Sequence, residues 1–146
     1  MTTVSEILKG KADPSVYTVE PSIPIGEAAR LMTARNRSAL VVTEGERIVG
    51  IVTERDLARN AGRAEGVQPP QQVRDIMSTD VLSVRPDQTS AECMTLMAER
   101  HVRHLPVVDC DRLVGMVSIR DLMYELVADR GVRMANIVEL IAPKSK

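Results

Sequence analysis

Short aliphatic runs and helically spaced apolar positions alternate along the chain, and the alternation occurs twice. Val16–Val19 is a β-branched run stopped by Pro21, a strand leading into a turn. Ile25, Ala28, Leu31 and Met32 then recur at helical spacing, which predicts a helix over 25–35. Ala39–Thr43 reads as a strand, Glu44–Gly45–Glu46 as a tight polar turn and Ile48–Val52 as the returning strand of a hairpin. Thr53 opens a further helix. The second pass predicts a strand at 81–84, a helix at 90–101, strands at 105–108 and 113–117 around a turn at 109–112, and a helix from 119.

The pattern is a true duplication. Gly50–Ile51–Val52–Thr53–Glu54–Arg55–Asp56–Leu57 returns as Gly115–Met116–Val117–Ser118–Ile119–Arg120–Asp121–Leu122, an offset of 65. Without a gap, that offset gives 16 identities in the 42 positions between Val16–Leu57 and Val81–Leu122. Each copy is β-α-β-β-α, so the fold class is α/β (α+β). A copy of roughly 55 residues has little core of its own, so the pair is expected to fold as one unit. The expected organisation is a first copy at 5–62, a linker at 63–72 holding Gly66, Pro69 and Pro70, a second copy at 73–130, and a C-terminal helix and tail at 131–146. Val73–Met77 predicts a short helix that mirrors Val4–Leu8 ahead of the first copy. Met123–Ile141 predicts one or two helices.

Composition narrows the function classes. With no Phe or Trp and only Tyr17 and Tyr124 as aromatics, the core must be aliphatic, with Met as filler. The net charge of −1 provides no field for DNA, RNA or anionic lipid, and base-stacking platforms are scarce, so no nucleic-acid partner is expected. No apolar run approaches the ~20 residues of a membrane span. Met1–Gly10 shows no basic region followed by an apolar run, so the expected location is cytoplasmic, without a membrane partner. Cys93 and Cys110 form no CxxC and read as two reduced thiols.

The candidate chemistry lies in Thr53-x-x-Asp56 and Ser118-x-x-Asp121, each at a strand-to-helix junction. One use is structural: Ser or Thr followed three residues later by an acid is a capping pattern. The other is ligand binding. A helix N-terminus seats a phosphate, a hydroxyl adds a donor, Arg55 or Arg120 can fork onto the phosphate, and the acid can accept from ribose hydroxyls. Gly50 and Gly115 allow close backbone approach or hairpin twist.

Two copies of Gly-aliphatic-aliphatic-Ser/Thr-x-x-Asp, each after an aliphatic hairpin, together with His101–Val102–Arg103–His104–Leu105–Pro106–Val107–Val108–Asp109, resemble the tandem CBS-domain (cystathionine β-synthase domain) family over about 5–142. The resemblance implies an adenine-nucleotide ligand (AMP, ADP or ATP, alternatively S-adenosylmethionine or NAD), with no cofactor required. It implies Ser118 and Arg120 at phosphate and Asp121 at ribose in the second copy, with Ser83, Val84, Leu105 and Pro106 on the adenine side. In the first copy it implies Thr53, Arg55 and Asp56, with Thr18, Ala39 and Leu40 around the base. The first copy departs from the pattern: Asn36–Arg37–Ser38–Ala39–Leu40–Val41 lacks the Arg-His pair and the Pro. Arg100, His101, Arg103 and His104 are the one local basic cluster, either a solvated helix end or partners for a di- or triphosphate at the second site.

Family members commonly form homodimers through their helices and regulate another protein, so a homodimer and a protein target are implied. The alternative is a dimeric assembly module with vestigial pockets, in which both Asp residues are helix caps only. No Walker A, GxGxxG or HExxH motif is present and no catalytic set stands out, so the chain is not expected to be an enzyme.

Overall fold

The computed structural model describes residues 2–62 and 71–130; the stretch 131–141, expected to be helical, and most of the linker lie outside the described residues. The first copy holds β1 (Thr18–Val19), α2 (Ile25–Arg35), β2 (Ala39–Glu44), β3 (Arg47–Thr53) and α3 (Glu54–Ala61), preceded by α1 (Val4–Gly10). The second holds α4 (Ser90–Arg100), β4 (His104–Asp109), β5 (Arg112–Ser118) and α5 (Ile119–Arg130), preceded by a single 3₁₀ turn, Val73–Asp75, in place of the short helix expected over 73–77.

In the first copy β1 runs parallel to β2, and β2 pairs antiparallel with β3. The second copy repeats the hairpin as β4–β5. The strand expected at 81–84 shrinks there to one parallel bridge, Val84 to Val107. Pro106 is the reason. Its counterpart Val41 donates its backbone N–H to Tyr17 O at 3.2 Å. A proline has no such hydrogen, so the equivalent bond to Leu82 O cannot form. The remaining bonds, Val84 N–H to Pro106 O at 2.9 Å and Val108 N–H to Val84 O at 2.8 Å, still hold the segment against β4.

The two copies exchange their lead-in segments. Val4 and Ile7 of α1 are buried with Val84, Met97, Leu105, Val117 and Leu122, in the core of the second copy. Val73 is buried with Val19, Met32, Leu40, Val42 and Val52, in the core of the first. Matched backbone bonds fix both exchanges: Val4 N–H to Gln88 O at 2.8 Å and Ser5 N–H to Pro86 O at 2.9 Å correspond to Val73 N–H to Ile23 O at 3.0 Å and Arg74 N–H to Pro21 O at 2.9 Å. The copies are therefore related by a two-fold pseudo-symmetry.

This exchange explains the paired glycines. A Cβ on Gly50 would lie 2.5 Å from Met77 Sδ and 3.0 Å from Ser78 O, and one on Gly115 would lie 2.9 Å from both Leu8 methyls. Each glycine also faces a register shift in its hairpin, after Val42 and after Val107. Its bare backbone admits the lead-in segment of the other copy rather than a ligand. Both first-layer helices end alike, with Asn36 and His101 in the left-handed region at φ 53° and 55°, so His101 terminates α4 rather than belonging to it.

Candidate functional site

Both Ser/Thr-x-x-Asp motifs form capping boxes. Thr53 N–H donates to Asp56 Oδ2 at 2.8 Å while Asp56 N–H donates to Thr53 Oγ1 at 3.3 Å. Ser118 N–H donates to Asp121 Oδ2 at 2.8 Å while Asp121 N–H donates to Ser118 Oγ at 3.2 Å. The structural use of the motif is thus realised at both junctions. It occupies one carboxylate oxygen of each Asp; among the described residues Oδ1 of each has no hydrogen-bond partner.

The pseudo-symmetry aims each helix start at the strands of the other copy. Each motif thus shares a cleft with strands of the other copy, in addition to the own-copy residues expected beside it. Thr53, Arg55 and Asp56 face Val81, Leu82, Arg103, His104 and Pro106 across a cleft of about 520 Å³. Ser118, Arg120 and Asp121 face Val16, Tyr17 and Ala39 across a cleft of about 130 Å³. Ser118 and Arg120 border both clefts. Leu40, Leu105 and Val84, expected near a base, are 0%, 0% and 2% exposed with their side chains in the cores, so those side chains line no cleft. Thr18 and Ser83 are exposed and border neither cleft.

The larger cleft combines three chemistries. Val81, Leu82, Val102 and Pro106 give an apolar wall. Arg55, Arg59 and Arg103 bring guanidinium groups, set against Glu54 and Asp80. Leu82 O, deprived of its sheet partner by Pro106, has no backbone donor among the described residues and is a spare acceptor at the wall. Arg59, Ser78, Asp80, Val81 and Leu82 were not singled out from the sequence.

The smaller cleft is filled by the chain's own polar groups. Lys11 Nζ lies 3.1 Å from Asp121 Oδ2 and donates to Met116 O at 2.9 Å. The Arg37 guanidinium pairs with Asp13 at 3.0 Å, and Arg35 and Arg37 lie 5.3 and 5.5 Å from the Tyr17 ring centre. Hydrogen bonds from Ser15, then the charge of Arg37, hold the Asp13 carboxyl down at about 2.

His104 stands between the clefts, with Nε2 at 2.8 Å from Ser38 Oγ. Burial lowers its pKa below the ordinary histidine value; Lys11 and Arg103 push the same way and Asp121 opposes them. Cys93 is buried in the second core, and burial, with Glu92 adding, pushes its thiol up to about 11, which leaves it unreactive. Among the described residues no group of His, Cys, Asp and Glu is placed to hold a metal, and no helix is long and apolar enough to cross a membrane.

Two duplicated α/β units with exchanged lead-ins and a pair of shared clefts define a tandem domain pair. A family model, the CBS domain, matches residues 4–62 and 73–128, and the chain belongs to the CBS-domain family. It is 37% identical over 116 residues to the CBS domain-containing protein YhcV of Bacillus subtilis, covering 79% of this chain and 81% of the relative. Among solved structures, a protein with CBS domains from Burkholderia ambifaria superposes with a TM-score of 0.79 at 40% identity, covering 91% of this chain and 99% of the other. A CBS domain pair in complex with 5′-methylthioadenosine and S-adenosyl-L-methionine superposes with a TM-score of 0.77 at 25% identity, covering 89% and 99%.

Proposed function

We propose that the chain is a non-catalytic regulatory module that binds an adenosine-containing ligand in the larger cleft and acts, as a homodimer, on a protein partner. The carrying observation is the juxtaposition, in one cleft of about 520 Å³, of the Thr53–Asp56 helix start, an apolar wall and a cluster of arginines. That volume suits a ligand of nucleotide size. The similar domain pair that holds 5′-methylthioadenosine and S-adenosyl-L-methionine supports the ligand class.

The residues divide the work. Val81, Leu82, Val102 and Pro106 take the adenine faces, and Leu82 O accepts from the exocyclic amine. The spare Oδ1 of Asp56 accepts from ribose hydroxyls. Thr53 Oγ1 already accepts from Asp56 N–H and donates to Asp56 Oδ2 at 3.1 Å, so phosphate contact falls to Arg55, Arg59 and Arg103. AMP, ADP, ATP and NAD carry all three groups; S-adenosylmethionine carries the base and ribose and offers the arginines a carboxylate in place of phosphate.

The test is thermal. A ligand at about 100 times its Kd adds about 2.7 kcal/mol of stability, which raises Tm by several degrees in a chain of this size. The second reading, an assembly module with vestigial pockets, draws on the capping boxes, which account for both motifs without a ligand. It wins if none of the five ligands at millimolar concentration moves Tm. The homodimer is part of this reading, and the large apolar side chains exposed among the described residues, Val114 at 44% and Tyr124 at 58% exposure, are its candidate contacts. Light scattering should give twice the chain mass of 16.0 kDa; a mass of one chain at micromolar concentration removes the dimer.

A further inference from the structure

The two lead-in segments differ in length. Seven residues separate Leu8 from Val16, and three separate the equivalent Met77 from Val81, a difference of four. Ser78 and Lys11 consequently do one job by different means. In the larger cleft Ser78 N–H donates to Ile51 O at 2.9 Å, and Ile51 N–H returns the bond to Ser78 O at 3.0 Å. In the smaller cleft the equivalent carbonyl, Met116 O, receives the Lys11 ammonium instead, at 2.9 Å. In the longer segment a side chain thus takes the place of the backbone donor.

That replacement pairs a cation with the motif carboxylate of the smaller cleft. Lys11 reaches Asp121 at 3.1 Å, with both side chains largely buried, at 14% and 16% exposure. Asp56 has no such cation among the described residues. The main-chain acceptors differ in the same direction: Tyr17 O is held by Val41 N–H, whereas its counterpart Leu82 O is free of a backbone donor among the described residues. The clefts follow suit, at about 130 and about 520 Å³.

We propose that Lys11 closes the smaller cleft from within, so that each chain holds a single nucleotide, in the Thr53–Asp56 cleft, despite carrying the ligand motif twice. The proposal rests on the nucleotide reading above and adds to it the residue that sets the stoichiometry. Lys11 acts by occupancy: its stem fills the space a ribose would take, and its ammonium holds the carboxylate that would receive the sugar hydroxyls.

Calorimetric titration with AMP, ATP and S-adenosylmethionine tests this, and the wild-type stoichiometry needs no variant. The wild type should bind one ligand per chain. Lys11→Ala should bind two. Adding Asp56→Ala to Lys11→Ala should return the count to one, with the surviving site at Asp121. Two ligands per wild-type chain would overturn the proposal while leaving the nucleotide reading intact. So would a Lys11→Ala chain that folds, as judged by circular dichroism, yet binds one ligand about tenfold more weakly, because Lys11 would then be a ligand contact. Absence of binding by all three probes to the wild type would overturn the nucleotide reading, and this inference with it.

Discussion

The two halves of this molecule carry the same octapeptide frame, cap the same helix in the same way, and end with clefts of about 520 and about 130 Å³. Neither motif explains that difference, because Thr53–Asp56 and Ser118–Asp121 are near copies in geometry as well as in sequence. It arises from two changes outside the motif. Pro106, where the first copy has Val41, strips a hydrogen bond from the strand that walls the larger cleft. Four extra residues ahead of the first copy deliver Lys11 into the smaller one. A duplicated motif thus does not by itself fix the cleft beside it; the neighbouring residues set its size.

The strongest way to break the comparison is to test whether the lead-ins really are exchanged. Ile7 is 7% exposed in the core of the second copy, although it precedes the first. Ile7→Ala should therefore cost about 2–5 kcal/mol and should loosen β4–β5 before β2–β3. Val73→Ala, a smaller truncation at a fully buried site in the first core, should cost less and loosen β2–β3 first. Denaturant unfolding gives the sizes, and amide hydrogen exchange gives the order of opening. If Ile7→Ala exposed β2–β3 first, each copy would carry its own lead-in and the shared clefts would lose their basis.

The glycine pair sharpens the comparison at lower cost. The atoms nearest a methyl on Gly115 all belong to the Leu8 side chain, whose two methyls lie at 2.9 Å and can rotate away. A methyl on Gly50 meets Met77 Sδ at 2.5 Å and also the backbone oxygen of Ser78 at 3.0 Å, in a segment pinned by two hydrogen bonds to Ile51. Gly50→Ala should fall in the upper part of the roughly 1–3 kcal/mol range for overpacking and Gly115→Ala in the lower part. Equal losses in thermal unfolding would mean that the two lead-ins are equally rigid, contrary to the Ser78–Lys11 difference.

The sequence reading carried most of the fold because the repeat is gapless from Val16 to Leu57 and the apolar spacing is strong. It placed both hairpins, both first-layer helices and the helix starts. The strand expected at 81–84 is lost to Pro106, whose missing donor matters only once the partner strand is known. At the clefts, the linear motif groups residues of one copy, whereas the fold adds strands of the other. Thr53 and Asp56 meet Arg103, His104 and Pro106 through a pseudo-symmetry that no local pattern records. Leu40, Leu105 and Val84 look like pocket residues in a linear motif, yet strand alternation turns them inward. The Lys11 plug left a trace, the unequal spacing of Leu8–Val16 and Met77–Val81, legible once the lead-ins are aligned as copies.

The smallest expected effect concerns the group lying between the clefts. His104 in the second copy corresponds to Ala39 in the first, so the pseudo-symmetric pair has one titratable member. Burial is the main reason that its pKa lies below the ordinary value of 6.5; Lys11 and Arg103 add to the depression and Asp121 counters it. The folded state therefore resists the proton more than the unfolded chain does. As pH falls below the unfolded value, the unfolded chain gains protons first, so the stability contributed by neutral His104 is present above that pH and declines below it. Tm should accordingly drop between about pH 7.5 and about pH 5.5, and the drop should be shallower in His104→Gln, which retains a partner for Ser38 Oγ and cannot titrate. The bond to Ser38 at 2.8 Å works either way for a neutral ring, since the hydroxyl can donate or accept; a protonated ring can only donate, which fixes the hydroxyl as acceptor. Lys11→Ala should make the wild-type pH dependence milder, because removing a neighbouring cation lets Asp121 pull the His104 pKa upward. A Tm that falls equally in wild type and His104→Gln would place the titrating group elsewhere, and His104 would then serve only to pack the boundary between an open cleft and a closed one.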